Sequence, residues 1–139
     1  MPAEITSAPT TFPCTMEGLA AASDFLSEAL AGVGCPPKVA TKFMVAFDEM
    51  GSNVVRYSGA ADFMVAASLA EGEVRVEISD SGVAYNPLEK DDPDVTLTAD
   101  ERAVGGLGIF MTKKLMDKLE YNRTSDGRNV VVLRRKTEG

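Results

Sequence analysis

Residues 73 to 79 read E-V-R-V-E-I-S, and this alternation limits the fold more than any other stretch. Successive strand side chains point to opposite faces, so Val74, Val76 and Ile78 share one face and Glu73, Arg75 and Glu77 the other. Such a strand belongs in a sheet with one apolar face and one solvated or half-covered face, the habit of antiparallel sheets. The largely apolar run Phe63 to Leu69 precedes it across a turn at Ala70-Glu71-Gly72-Glu73, which predicts a hairpin. A second hairpin is expected from Leu119 to Arg123 and Asn129 to Arg135, around Ser125-Asp126-Gly127. Val130, Val131, Val132 and Leu133 are strand formers in sequence, which puts the last strand in the centre of the sheet.

A sheet with one apolar face needs a cover, and helical patterns supply it. Thr15 is placed to cap a first helix whose Leu19, Phe25, Leu26, Ala29, Leu30 and Val33 recur at helical spacing, with Gly32 and Gly34 at its end. After Cys35-Pro36, Pro37 suits the first turn of a second helix. There Phe43, Phe47, Met50 and Val54 form one apolar stripe, and the helix runs out at Tyr57-Ser58-Gly59. A third helix is expected to run to about Met116, with Ile109, Met111 and Leu115 apolar. Thr10 to Pro13 reads as a short edge strand, and Met1 to Ala8 as a frayed end. The expectation is a single domain over residues 1–139, an α+β two-layer sandwich. Its mainly antiparallel mixed sheet would be covered on one face by three helices.

Composition narrows the function. The chain carries 14 basic and 21 acidic residues, a net charge of −7, which argues against nucleic acid or an anionic membrane as the main partner. Its two cysteines are far apart and histidine is absent, so the ligand set of a structural zinc and the usual catalytic triads are missing. No basic-then-apolar leader opens the chain and no apolar run approaches the ~20 residues of a membrane span, so the expected location is the cytoplasm.

Three stretches carry possible chemistry. On the second helix Glu49, Ser52, Asn53 and Arg56 fall about opposite the apolar stripe, with Glu49 and Asn53 one turn apart. A carboxylate beside an amide oxygen can hold a hydrated Mg²⁺ ion and take a proton from a hydroxyl, although the same pair also suits a solvated helix face. Asp80 leaves an apolar strand with Gly82 two residues on; a carboxylate there can accept from an exocyclic amine, and D-x-G is also a common turn. From Tyr85 to Val104 the chain is irregular and acidic, as in a lid or binding loop. It ends in Gly105-Gly106-Leu107-Gly108-Ile109, where free N–H groups at a helix start attract phosphate; a glycine hinge for helix entry is the plainer reading. No Gly-Lys-Ser/Thr follows, so this is not a Walker A loop, and no strand precedes it as the dinucleotide fingerprint requires.

Taken in order, E-x-x-x-N on a helix, two strands, D-x-G, an irregular lid and G-G-L-G-I opening a helix form a specific combination. From about Phe12 to the C-terminus the chain resembles the GHKL (Bergerat-fold) ATPases, and among them the anti-sigma-factor serine kinases of the RsbW type. F-P-C-T-M-E-G-L and L-M-D-K-L-E-Y-N-R look like that family's opening and closing phrases. The broader family often has a second glycine where Ala84 stands; Asp80 to Pro87 instead fits a D-x-G-x-x-aromatic-N-P form found in close relatives.

The resemblance implies a set of roles. Asn53 would ligate Mg²⁺ bridging the ATP phosphates, and Glu49 would be the base for the attacking hydroxyl. Asp80 would hold the adenine amino group with Gly82 at the ring edge. Gly105, Gly106 and Gly108 would let the lid close and present N–H groups to the phosphates, with Leu107 and Ile109 packed behind the nucleotide. The implied activity is phosphorylation of a serine on a STAS-domain anti-anti-sigma protein by a homodimeric kinase that also binds a sigma factor or another target. The alternative is an ATP-binding module that sequesters its partner without useful kinase activity, against which the retained Glu49 argues. A hydrolysing ATPase would use the same residues but lacks a transducer domain here, and a sensor histidine kinase would need a phosphoacceptor histidine.

Overall fold

The computed structural model describes residues 5–84 and 112–137. Among the described residues six strands form one sheet: β1 (Ile5–Thr6), β2 (Thr10–Pro13), β3 (Asp62–Ala70), β4 (Glu73–Asp80), β5 (Lys118–Arg123) and β6 (Asn129–Lys136). Its order is β1-β3-β4-β6-β5, with β2 sharing the edge of β3 beside β1. Every pairing among the described residues is antiparallel, in line with the mainly antiparallel sheet expected, and no parallel pair is seen among them. The last strand lies between β4 and β5, inside the sheet, as its run of valines predicts.

Two helices, α1 (Met16–Val33) and α2 (Pro37–Tyr57), cover the apolar face. Residues 112–115 are helical, and Met116 after them joins the core; the rest of the expected third helix lies outside the described residues. Thr15 has extended geometry and its hydroxyl accepts the Gly18 N–H at 2.9 Å, which ties down a donor the helix leaves orphaned. At the other end Gly34 turns left-handed at φ 90°, and the Gly34 and Cys35 N–H groups return to the Ala31 and Leu30 carbonyls. The two-proline connector then starts α2 without a side-chain cap.

Leu26, Leu30, Phe43, Phe47 and Met50 press on Phe63, Val65, Val76, Ile78 and Leu133, all shielded from solvent. Gly51 fits this packing: a Cβ there would lie 2.5 Å from Leu19 Cδ1, so the glycine serves the contact between α1 and α2. The opposite sheet face is charged. Arg134 bridges Glu73 at 3.0 Å and also pairs with Glu120, while Arg75 pairs with Glu77 at 2.9 Å.

One departure is at the start of the chain. Residues 5–6, expected to fray, pair with β3, and Ser7 fixes them: its N–H donates to the Ala67 carbonyl and its hydroxyl accepts from the Ala67 N–H. So short a strand has no periodicity of its own to read. Cys14 and Cys35 are free thiols, and burial pushes the Cys35 thiol up, keeping it neutral. Among the described residues no helix is long and apolar enough to cross a membrane.

Candidate functional site

The end of β4 meets the end of α2, and backbone contact joins them. The Val83 N–H donates to the Ser58 carbonyl at 2.8 Å. A Cβ at Gly82 would stand 2.0 Å from that same oxygen, so only glycine lets the D-x-G turn lie against the helix end. The expected role of Gly82 was close approach by a ligand ring; the approach observed is that of Ser58.

Asp80 sits in this junction at 3% exposure. Its Oδ1 accepts the Gly82 N–H at 2.8 Å and the Asn129 amide at 3.1 Å. No hydrogen bond from a described residue reaches Oδ2, which leaves one carboxylate oxygen able to accept. Asn129 is opposite because β4 and β6 run antiparallel with Asp80 in register with Asn129. Its Nδ2 also donates to the Val83 carbonyl at 2.7 Å, and its Oδ1 accepts from the Tyr121 hydroxyl at 2.6 Å and from Arg123 Nη1 at 3.2 Å. Arg123 Nη1 donates as well to the Gly82 carbonyl at 2.8 Å. Sequence reading missed Asn129, Tyr121 and Arg123. The signal was available only through strand pairing, because Asn129 is 49 residues from Asp80.

Asn53 reaches the same place from α2. Expected on the solvated face, it is 1% exposed. The helix buries a face wider than the four-residue stripe, taking in Ala46 and Gly51, and Asn53 lies on its border rather than opposite it. Met50, Asn53, Val54, Ser58, Asp80, Asn129 and Val131 line one narrow cavity of about 10 Å³, room for a water molecule. A larger ligand enters only if these walls part.

Glu49 is half-buried, and its Oε2 accepts the Asn53 amide at 3.3 Å. Arg56 completes the row: Nη2 reaches Ser52 Oγ at 3.2 Å and Asn53 Oδ1 at 3.4 Å, while the guanidinium carbon lies 5.6 Å from the Tyr57 ring centroid. The structure therefore brings Glu49 to Asn53, sets Asn53 and Asp80 on one cavity, and ties Gly82 to Asp80. Gly105, Gly106, Leu107, Gly108 and Ile109, together with the expected lid, lie outside the described residues.

This chemistry fits a nucleotide with its metal. Among the described residues no group of three or more acidic or cysteine side chains forms a metal cage. One amide oxygen and a neighbouring carboxylate instead suit Mg²⁺, which keeps waters and is completed by phosphate oxygens. The remaining Asp80 oxygen suits the amine of a purine.

Known proteins agree on the architecture. The family profile described as "Histidine kinase-like ATPase domain" matches residues 12–135. The structure of the RsbU and RsbW domains of Rv1364c from Mycobacterium tuberculosis is similar, with TM-score 0.63 and 20% identity over 94% of this chain. This chain spans 32% of that longer one. The SiaB–SiaC complex from Pseudomonas aeruginosa aligns with TM-score 0.66 and 14% identity, covering 93% of this chain and 89% of the other. The Acinetobacter baumannii histidine kinase AdeS gives 0.55 and 9%, with 95% and 68% covered. No curated protein matches the sequence significantly. At these identities the solved structures speak for the fold alone.

Proposed function

The chain belongs to the histidine kinase-like ATPase domain family, and on that premise we propose that it is a Mg²⁺-dependent protein serine kinase. In this reading it is a cytoplasmic, homodimeric anti-sigma factor of the RsbW type. Its substrate is a STAS-domain anti-anti-sigma protein, and its other partner a sigma factor or similar target. The observation that carries the reading is the cavity shared by Asp80 and Asn53, with Glu49 hydrogen-bonded to Asn53.

Asp80 Oδ2 would accept the adenine amine, and Asn53 Oδ1 would give Mg²⁺ one protein ligand. Bound Mg²⁺ supplies charge stabilisation on the phosphates. The family resemblance implies that Gly105, Gly106 and Gly108 would offer N–H groups to those phosphates, with Leu107 and Ile109 behind the nucleotide. Glu49 takes the proton of a partner serine as its oxygen bonds to the γ-phosphorus and ADP departs. The Glu49–Asn53 hydrogen bond holds base and metal ligand at a fixed separation, so the helix itself aligns the two functions. The partner-switching part of this reading follows from the resemblance of the sequence to RsbW-type kinases, and the fold shared with the RsbU and RsbW domains of Rv1364c and with the SiaB–SiaC complex is compatible with it.

The test is phosphotransfer from γ-labelled Mg·ATP to a STAS protein recovered by pull-down, beside Glu49→Gln and Asp80→Asn. Expected are label on a partner serine, loss of transfer with retained ATP binding in Glu49→Gln, and weakened ATP binding in Asp80→Asn. Bound ATP without transfer identifies the alternative, a module that sequesters its partner. Transfer at the wild-type rate in Glu49→Gln removes Glu49 as the base.

A further inference from the structure

We propose that Tyr121 and Arg123 on β5 are positioning residues that set purine selectivity, acting on Asp80 through Asn129. This rests on the reading of the Asp80 cavity as a nucleotide site. An asparagine amide has two N–H donors and an oxygen with two lone pairs. In Asn129 all four places are filled: the donors face Asp80 Oδ1 and the Val83 carbonyl, and the oxygen faces the Tyr121 hydroxyl and Arg123 Nη1.

Those contacts fix which way the amide points. Rotated by half a turn, Asn129 would set its oxygen against a carboxylate and a carbonyl, and its NH₂ against a guanidinium. In the observed orientation it cannot offer a donor to an incoming base. Asp80 Oδ2 is then the group presented, and it only accepts. An exocyclic amine is received there, whereas a keto oxygen at the same ring position meets carboxylate lone pairs and is repelled.

Arg123 adds a second constraint, since Nη1 also holds the Gly82 carbonyl. The turn bearing Gly82 and Val83 is thus tied from β5, from β6 and from Ser58 at the end of α2. Releasing the Asn129 oxygen loosens the amide that pins Asp80 Oδ1, so Oδ2 is aimed less firmly and its preference for an amine over a keto oxygen weakens. Selectivity then falls by more than affinity.

The experiment is calorimetric titration of the full chain with Mg·ATP and with Mg·ITP, whose base carries a keto oxygen in place of the adenine amine. Wild type is expected to favour ATP by about tenfold or more, the worth of one charge-assisted hydrogen bond. Tyr121→Phe keeps the ring and removes the hydroxyl; it should lower the ATP/ITP ratio at least about threefold, and Arg123→Ala should do the same. A merely structural role would weaken both nucleotides alike and leave the ratio unchanged, which overturns the proposal. Equal wild-type affinity for the two nucleotides overturns it too while sparing the nucleotide reading. Binding of neither nucleotide by wild type defeats the proposed function itself, and this inference with it.

Discussion

Gly82→Ala separates two reasons for a glycine in the D-x-G turn. Were its purpose only to let a ligand ring approach, alanine would leave the free protein's stability alone. The structure predicts otherwise, because the added Cβ would lie 2.0 Å from the Ser58 oxygen and 2.7 Å from its carbonyl carbon. An ordinary carbon–oxygen contact is about 3.3 Å, so backbone must give by roughly 1.3 Å. Neither side yields cheaply. Ser58 caps α2 with its N–H on the Val54 carbonyl, and Val83 donates to that same Ser58 oxygen. Overpacking costs about 1–3 kcal/mol and a lost hydrogen bond about 1 more, giving an expected destabilisation of roughly 2–4 kcal/mol. In a chain of this length the melting temperature should fall by about 8–16 °C. Calorimetry or urea unfolding of the nucleotide-free protein is the assay. A Gly82→Ala protein as stable as wild type would refute the packing argument and return the residue to a ligand-only role.

Other perturbations test the frame around the site. Gly32→Ala is the counterpart to Gly82, since no atom stands within 4 Å of its Cβ position; helix propensity should raise stability by about 0.5–1 kcal/mol in urea unfolding. Thr15→Ala removes the cap on Gly18 N–H and should cost about 1 kcal/mol by the same measurement. The Arg134 guanidinium, hydrogen-bonded to Glu120, holds its carboxyl below the usual range. Because the folded value is depressed, this contribution is present above the unfolded value near ~4.3 and is lost as pH falls through the folded one. Glu120→Gln should therefore be less stable than wild type at neutral pH, by under about 1 kcal/mol given its partial exposure, and the gap should close as pH falls below the usual carboxylate range.

Legibility followed sequence separation. Thr15, Pro37 and Gly34 marked helix ends because caps act within a few residues, and the alternation of Val74, Val76 and Ile78 declared which face of β4 is buried. Glu49 and Asn53 were found as a pair because helical spacing places them one turn apart. Asn53 was misplaced on the solvated side, since four apolar residues understate how wide a face two layers bury. Nothing near Gly51 in the chain gives the reason for a glycine there, which is Leu19, 32 residues earlier.

Local order, then, was written along the chain: each helix, each hairpin and the face each buries follow from propensity and period. What folding alone decided is the junction where α2, β4, β5 and β6 meet. Its parts are the Ser58 oxygen against Gly82, the Asn129 amide locked between Asp80 and Tyr121, and the turn held by Arg123. The physical reason is range. Backbone preference and side-chain periodicity act between neighbours, whereas hydrogen-bond geometry across a sheet exists only once register has brought residues 49 apart face to face.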